Sequence, residues 1–197
     1  QNRLLRIMDW LSKVEEYDYD NNGNMIKKII HDKNNLIAEY NLIFDVNNRL
    51  IEVKKGDGIN DPVPYIKYLY NNDGLRIYKN EIEDNKRTYY IRNNQSVVQE
   101  IEIDENDNKK TLNTYLISDE LIAGRITQID SNPEKVSYYH LDHLNSTKMI
   151  TDQDGNKVLE YEYRAFGTEL NRNGTHNNRY SYIGRENDEE LGLYYIN

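Results

Sequence analysis

The chain repeats one local pattern: an alternating aromatic strand, a turn rich in Asn, Asp and Gly, and an aliphatic strand. In residues 17–29, Tyr17 and Tyr19 fall on one face, because successive side chains of a strand point to opposite faces. The Asn-Asn-Gly-Asn that follows tolerates the left-handed backbone of a tight turn. An apolar run then starts at Met25. The pattern predicts a β-hairpin.

This hairpin pattern returns along the chain. Phe44-Asp45 and Tyr70-Asn71 take the place of Tyr19-Asp20 at intervals of about 25 residues. A weaker copy lies in residues 89–101, and a strong hairpin pattern lies in residues 150–163. One hairpin cannot bury a face in water, whereas a series can stack into a sheet. The predicted fold is therefore all-β, with repeated antiparallel hairpins forming a long curved or spiralling sheet.

The segment 4–17 allows two interpretations. Leu4, Leu5, Met8 and Leu11 could share one side of an amphipathic helix. Alternatively, the turn-compatible residues in its centre could separate two strands. We favour the two strands, because the repeats that follow are built from strands.

The composition excludes several classes of function. Lys and Arg number 25 against 34 Asp and Glu, a net charge of −9, which argues against nucleic acid as a partner. No apolar stretch approaches the ~20 residues of a membrane span, so we expect no membrane insertion. Only 37% of residues are hydrophobic, but the 18 Tyr favour strands over disorder. With no Cys, disulfides and cysteine metal sites are impossible.

The stretch Tyr-Tyr-His-Leu-Asp-His-Leu-Asn-Ser-Thr, residues 138–147, concentrates potential metal ligands. His140, Asp142 and His143 could in principle bind zinc or support catalysis. On a strand, however, His140 and Asp142 share one face and His143 points to the other. We therefore expect hydrogen bonding to each other or to the backbone, with no metal, no cofactor and no catalytic residue.

The acidic run of residues 185–192 offers several carboxylates. Paired carboxylates can serve hydrolysis, but nothing in the sequence predicts an apolar pocket that would separate their pKa values. We expect a solvated turn between strands, in which Arg185 makes local ion pairs with Glu186 and Glu189.

Several segments of the sequence resemble a known protein family. Residues 17–25 resemble the YD repeat, and residues 70–77 resemble its version ending in Gly-Leu-Arg. Residues 138–167 and 179–195 closely resemble the core region of Rhs proteins, a family related to the YD shells of insecticidal toxin complexes and teneurins. The motif positions matched are Tyr19, Asp20, Gly23, Tyr70, Gly74, Tyr139, His140, Asp142, His143, Gly155, Tyr163, Phe166, Gly167, Gly184, Glu186, Gly192, Tyr194 and Tyr195.

The chain departs from the family pattern at two turns. Asn145 stands where the family usually has Gly, and Asn tolerates a left-handed backbone better than other non-Gly residues. Arg164-Ala165 stands where the family usually has Asp-Pro, which removes a rigid turn element.

The resemblance implies both an architecture and a role. Residues 1–135 would form a YD-repeat region and residues 136–197 an Rhs core region within one continuous sheet. The sheet would be part of a hollow shell around a C-terminal toxin or effector of a secreted or surface bacterial protein. The sequence would stop before the self-cleavage region found in several family members.

On this interpretation the chain is a structural wall and not an enzyme. Its implied partners are the rest of the same polypeptide, including the C-terminal cargo, together with a secretion apparatus or cell-surface glycans. The alternative is an adhesion or carbohydrate-binding module on the same sheet. A third possibility is an enzyme at the histidine cluster.

Overall fold

The computed structural model describes residues 3–8, 13–33, 35–164 and 167–196. Strands β1 to β15 follow the order of the sequence in an antiparallel sheet, and β16 and β17 form a separate pair. The strands are β1 (Arg6–Met8), β2 (Lys13–Tyr19), β3 (Met25–Asp32), β4 (Asn35–Phe44), β5 (Leu50–Gly56), β6 (Val63–Tyr70), β7 (Arg76–Glu81), β8 (Lys86–Asn93), β9 (Ser96–Asp104), β10 (Lys109–Ser118), β11 (Leu121–Ile129), β12 (Lys135–Leu141), β13 (Thr147–Asp152), β14 (Lys157–Tyr163), β15 (Glu169–Gly174), β16 (Glu186–Asp188) and β17 (Leu193–Tyr195).

The predicted all-β fold of antiparallel hairpins is confirmed. Every predicted hairpin is present, including the weaker copy, in which β8 and β9 are joined through Asn94 with a φ of 53°. At the N-terminus β1 pairs with β2 in antiparallel register, with Arg6 opposite Glu16. The two-strand interpretation is therefore right for the described residues, and residues 9–12 lie outside them.

The chain divides into two compact units. The first consists of residues 1–88 and 104–108, and the second of residues 89–103 and 109–197. The boundary after residue 135 between repeats and core region stays a prediction from the sequence. The described part of the chain contains no helix with the length and hydrophobicity that a membrane span requires.

The core of the first unit contains both aromatic and charged side chains. Ile66 and Val53 are fully buried, and Tyr68 is almost so. The guanidinium carbon of Arg76 lies 4.1 Å from the centre of the Tyr68 ring. A charge taken out of water is costly unless it is compensated, and an aromatic face offers a cation partial compensation.

The core of the second unit forms two clusters on its sheet. One contains Tyr90, Val97, Tyr115 and Tyr180. The other contains Tyr139, Ile150, Leu159 and Tyr161. Each aromatic residue comes from an alternating strand except Tyr180, which lies in the segment after β15. That segment therefore supplies part of the core.

Candidate functional site

The histidine-rich stretch forms the end of β12 and the turn into β13. The side chains of His140 and His143 are exposed, and Nε2 of His140 lies 3.1 Å from the Thr151 hydroxyl. Asp142 accepts hydrogen bonds from the backbone amides of Leu144 and Ser146, both at 2.9 Å. Within the described residues, no group of three or more potential metal ligands is close enough to hold an ion. Asp142 is thus used to close the turn.

Within the described part of the chain, the same turn occurs five times with an acceptor side chain at its first residue. The first residue donates its amide to the carbonyl four positions later, and the fourth residue donates back to the first. The first side chain also accepts the amide of the fifth residue. The first residues are Asp20, Asp45, Asn71, Asp142 and Asp152, and the fourth residues are Gly23, Asn48, Gly74, Asn145 and Gly155.

The backbone conformation of these turns explains the sequence pattern. Each fourth residue has a positive φ, between 60° at Asn48 and 95° at Gly23, a region that favours Gly and then Asn. Asn145 has a φ of 65°, so it replaces the family's Gly as predicted. The strand register shifts just before each turn, for example between Leu69 and Tyr70. Such a shift accommodates the extra residue of the turn.

Hydrogen bonds lower the pKa values of three turn carboxylates, those of Asp20, Asp45 and Asp152. The pKa of Asp45 falls through the side chain and amide of Arg49, and that of Asp152 through the amide and side chain of Asn156. In the wider loop between β5 and β6, the amides of Asn60 and Ile59 lower the pKa of Asp57 to about 2. The ionised carboxylates are the forms that hold these turns.

Two backbone hydrogen bonds between described residues close the turn in which Arg164-Ala165 replaces the family's Asp-Pro. Arg164 donates its amide to the carbonyl of Thr168 at 2.8 Å, and Gly167 donates back to Arg164 at 3.2 Å with a φ of 83°. A Cβ added to Gly167 would lie 2.5 Å from the Tyr182 ring. Ala165 and the predicted motif residue Phe166 lie outside the described residues.

Tyrosines that precede a turn connect neighbouring hairpins. The hydroxyl of Tyr70 donates to the carbonyl of Leu50 at 2.7 Å, and that of Tyr163 donates to Thr147 at 2.8 Å. Cations lie over the same rings, Arg49 at 5.3 Å from the centre of Tyr70 and Lys148 at 5.7 Å from that of Tyr163. These contacts assign the Tyr of the repeat a role in stacking successive turns.

The principal site of the second unit is a buried polar network that joins the C-terminal segment, residues 176–196, to strands of the sheet. Its centre is Glu100, which is 1% exposed. The carboxylate accepts hydrogen bonds from Tyr115 at 2.9 Å and from Tyr180 at 2.7 Å. Burial raises the pKa of Glu100, while the two hydroxyls and the nearby Arg179 oppose that rise. A buried carboxylate requires such partners.

Arg179 forms the second part of this network. Its guanidinium pairs with the carboxylate of Glu102 and lies 3.8 Å from that of Glu186. Glu186 also accepts a hydrogen bond from the hydroxyl of Tyr90. Residues of β8 and β9 are thereby joined to residues about 80 to 95 positions later.

Asn178 forms the third part. Its side-chain oxygen accepts a hydrogen bond from Tyr139 at 2.9 Å, and its amide nitrogen donates to the carbonyl of Tyr180 at 2.7 Å. Burial raises the pKa of Tyr139 to about 12, so this hydroxyl remains a donor at neutral pH. Tyr139 therefore faces the core, whereas His140, its neighbour, faces solvent.

The prediction of a solvated acidic turn at residues 185–192 is wrong for two of its carboxylates. Glu186 is 3% exposed and Asp188 is 2% exposed, both on β16, which pairs with β17. The reason is that β16 lies against the core, where Glu186 meets Tyr90 and Arg179. Glu189 is exposed and pairs with Arg172 at 2.9 Å, not with Arg185.

The remaining predicted motif residues support this segment. Gly184 and Gly192 have φ values of 66° and 63°, and Gly192 donates to the carbonyl of Asp188 at 2.9 Å. The Tyr194 hydroxyl donates to the carbonyl of Gly167 at 3.0 Å. Tyr195 lines a cleft of about 370 Å³ that also contacts Arg92, Val97 and Ile122.

Sequence reasoning missed Glu100, Arg125, Asn178 and Arg179 as members of the site. For Glu100 the local pattern carries no clear signal, because Ser96, Glu102 and Asp104 alternate with it on the same side of β9 and give that side little apolar character. The partners come from a distant part of the chain and could not be named.

Comparisons with solved structures agree with the observed fold. The crystal structure of TcdB2-TccC3-TEV aligns with a TM-score of 0.64 at 17% identity, covering 93% of this chain and 11% of that chain. The Photorhabdus luminescens Tc holotoxin pore gives the same TM-score at 16% identity. The chain therefore shares the fold of both toxin structures, in agreement with the resemblance of its sequence to the Rhs/YD-repeat family.

Relatives by sequence are longer proteins. The tRNA3(Ser)-specific nuclease WapA of Bacillus spizizenii is 28% identical over 201 residues, and the tRNA nuclease WapA of Bacillus subtilis is 29% identical. Each alignment covers 99% of this chain, which spans 8% of the length of these relatives. No protein-family model matches the chain.

Proposed function

We propose that this chain is a structural wall segment of an Rhs/YD-repeat capsule and has no catalytic activity of its own. The capsule encloses and shields a C-terminal toxin or effector. The observation that carries the proposal is the fixation of residues 176–196 on the tyrosine-lined face of the second unit by Glu100, Arg179 and Asn178. On this proposal, the wall has to hold the part of the polypeptide that leads to the cargo against the face that lines the capsule.

The relatives support this division of roles. They are named as nucleases, and this chain spans 8% of their length. A net charge of −9 is unsuited to tRNA, because phosphate binding needs a basic surface. On the proposal, a nuclease or other toxic activity belongs to a different part of the polypeptide.

The chemistry of the buried carboxylates also supports a structural role. The buried carboxylates of Glu100 and Glu186 and the partly buried carboxylate of Glu102 each accept from a tyrosine or arginine. A general acid or base has to reach a substrate proton within hydrogen-bond distance. Carboxylates held in this way stabilise the fold and are not free for catalysis.

The partners follow from the same proposal. The first is the rest of the polypeptide, with further repeats and the C-terminal cargo. A capsule with a toxin must also leave the cell that makes it, so we propose a secreted or surface location and a secretion apparatus as a second partner.

Limited proteolysis of the full-length parent protein tests the capsule. We expect the C-terminal domain within the parent to resist a protease that rapidly cuts the same domain expressed alone. Arg179→Met should increase its cleavage in the parent, whereas Arg49→Met, which changes a turn of the first unit, should leave it protected. Equal cleavage rates for the domain in the parent and in isolation would contradict the proposal.

A second candidate function is adhesion through glycans. Tyr138 is 45% exposed on β12, and an exposed aromatic ring can stack on a sugar. A glycan array probed with the parent protein separates the two functions. Specific binding that is lost in Tyr138→Ala would favour adhesion, and absence of binding would leave the wall as the function.

A further inference from the structure

The contact between the C-terminal segment and β11 contains a histidine that has to be uncharged. Nη2 of Arg125 lies 2.6 Å from Nε2 of His176 and donates to the carbonyl of Asn177 at 2.7 Å. A guanidinium can only donate hydrogen bonds. Nε2 of His176 is therefore the acceptor, and its ring proton is on Nδ1.

The surroundings of His176 disfavour a second proton. Arg125 comes from β11, Lys135 from β12 and Arg172 from β15, and together with burial, the largest cause, they lower the pKa of His176 to about 4. The Ser137 hydroxyl of β12 lies 3.4 Å from Nε2. The carboxylate of Glu189 is directed to Arg172, at 2.9 Å. The charged groups acting on the imidazole are thus three cations.

Arg125 cannot move away easily from an imidazolium. Its side chain is 4% exposed, and its charge is also held by the electrostatic influence of Tyr139, Tyr115 and Glu100. If His176 gained a proton at Nε2, two cations would meet where a hydrogen bond had been. The segment that carries His176 can move instead of Arg125, because His176 is only partly buried.

We propose that Arg125 and His176 form an acid-sensitive latch that holds the start of the C-terminal segment, residues 176–180, on the sheet of the second unit. At neutral pH the imidazole accepts from Arg125 and the segment is closed. Protonation removes the acceptor and separates the two side chains, which opens the segment from its His176 end. The latch is independent of whether the chain encloses a cargo.

The direction of the pH effect follows from linkage. The pKa of His176 is lower in the folded protein than the usual 6.5, so the unfolded or opened state binds protons more readily. The closed state therefore loses stability as pH falls from about 6.5 to about 4 and gains none from this group above that range.

Glu100 of the buried network titrates as well, and the test has to separate its effect from that of the histidine. Glu100, with its raised pKa, also gains a proton on acidification, and Glu102 and Glu186 face Arg179. His176→Gln keeps a side-chain acceptor but cannot become cationic. His140→Gln changes an exposed histidine that meets Thr151 and serves as the matched control.

Amide hydrogen exchange of the whole chain at several pH values tests the latch. In the natural protein and in His140→Gln, we expect exchange of residues 176–180, corrected for intrinsic rate, to rise about tenfold or more between pH 7 and pH 4. In His176→Gln the rise should be absent. An equal rise in His176→Gln, or no rise in the natural protein, would overturn the latch.

A direct titration keeps the test valid if His176→Gln does not fold. The imidazole carbon signals of His176 in the natural protein report its pKa by NMR. A value well below the usual 6.5 supports the latch. A value at or above 6.5 would overturn it, because the imidazole would then be charged next to Arg125 under mildly acidic conditions.

Discussion

The hydroxyl of Tyr180 donates a 2.7 Å hydrogen bond to the carboxylate of Glu100, on a strand 80 positions earlier in the chain. Both side chains are buried, and Tyr115 supplies the second donor to the same carboxylate. This pair fixes the C-terminal segment to β9. Local hairpins build the sheet, and long-range polar contacts close its second unit.

Removal of the Tyr180 hydroxyl should therefore destabilise the protein. Tyr180→Phe leaves a buried carboxylate with one donor fewer, which costs about 1–3 kcal/mol of unfolding free energy. Tyr138→Phe, at an exposed tyrosine of β12, should change it by less than about 0.5 kcal/mol. Urea denaturation measures both. Similar losses in the two variants would show that the hydroxyl of Tyr180 contributes nothing specific.

Substitutions at two turn glycines, Gly155 and Gly167, distinguish the cost of backbone strain from the cost of steric crowding. Gly155→Ala should cost about 1 kcal/mol, because its φ is 84° and the added Cβ meets nothing within 4 Å. Gly167→Ala combines a φ of 83° with a Cβ 2.5 Å from the Tyr182 ring, so its cost should be clearly larger. Thermal unfolding of the two variants gives the comparison. An equal loss at both positions would contradict the contact between Gly167 and Tyr182.

The carboxyl of Asp57 should titrate at unusually low pH. The amides of Asn60 and Ile59 lower its pKa to about 2, so its contribution to stability is complete above the usual 3.8. The contribution is lost only as pH falls through about 2. Carboxyl carbon chemical shifts measured by NMR across this range test the prediction. A midpoint near 3.8 would mean that the amides do not hold the carboxylate in solution.

The histidine-rich turn should not bind zinc. His140 and His143 are exposed without a third ligand nearby among the described residues, and Asp142 already closes the turn. Isothermal titration with zinc should give no stoichiometric binding in the natural protein. Binding of one zinc ion per chain that disappears in His140→Ala and His143→Ala would contradict this prediction.

The hairpins and their turns could be predicted because the information is local. Asp20 and Gly23, or Asp152 and Gly155, are three residues apart, and each pair fixes one turn. Alternation along β12 likewise places Tyr139 and His140 on opposite faces, and the structure shows that Tyr139 is the one in the core. Even Asn145 followed from the tolerance of Asn for a positive φ.

The buried network could not be predicted for the opposite reason. Its pairs, such as Arg179 with Glu102, join residues that sequence spacing does not relate. The charge of residues 185–192 and the lack of a predicted apolar pocket both indicate a solvated turn. Glu186 is buried because Arg179 and Tyr90 compensate its charge, and both partners are visible only in the folded chain.

The central claim is that this chain is part of a wall around a cargo from the same polypeptide. A cryo-electron microscopy map of the full-length parent protein tests it most directly. The account predicts that the C-terminal domain lies inside a cavity bounded by the YD-repeat sheet, with residues 176–196 on the inner face. A C-terminal domain outside the sheet and accessible to solvent would contradict it.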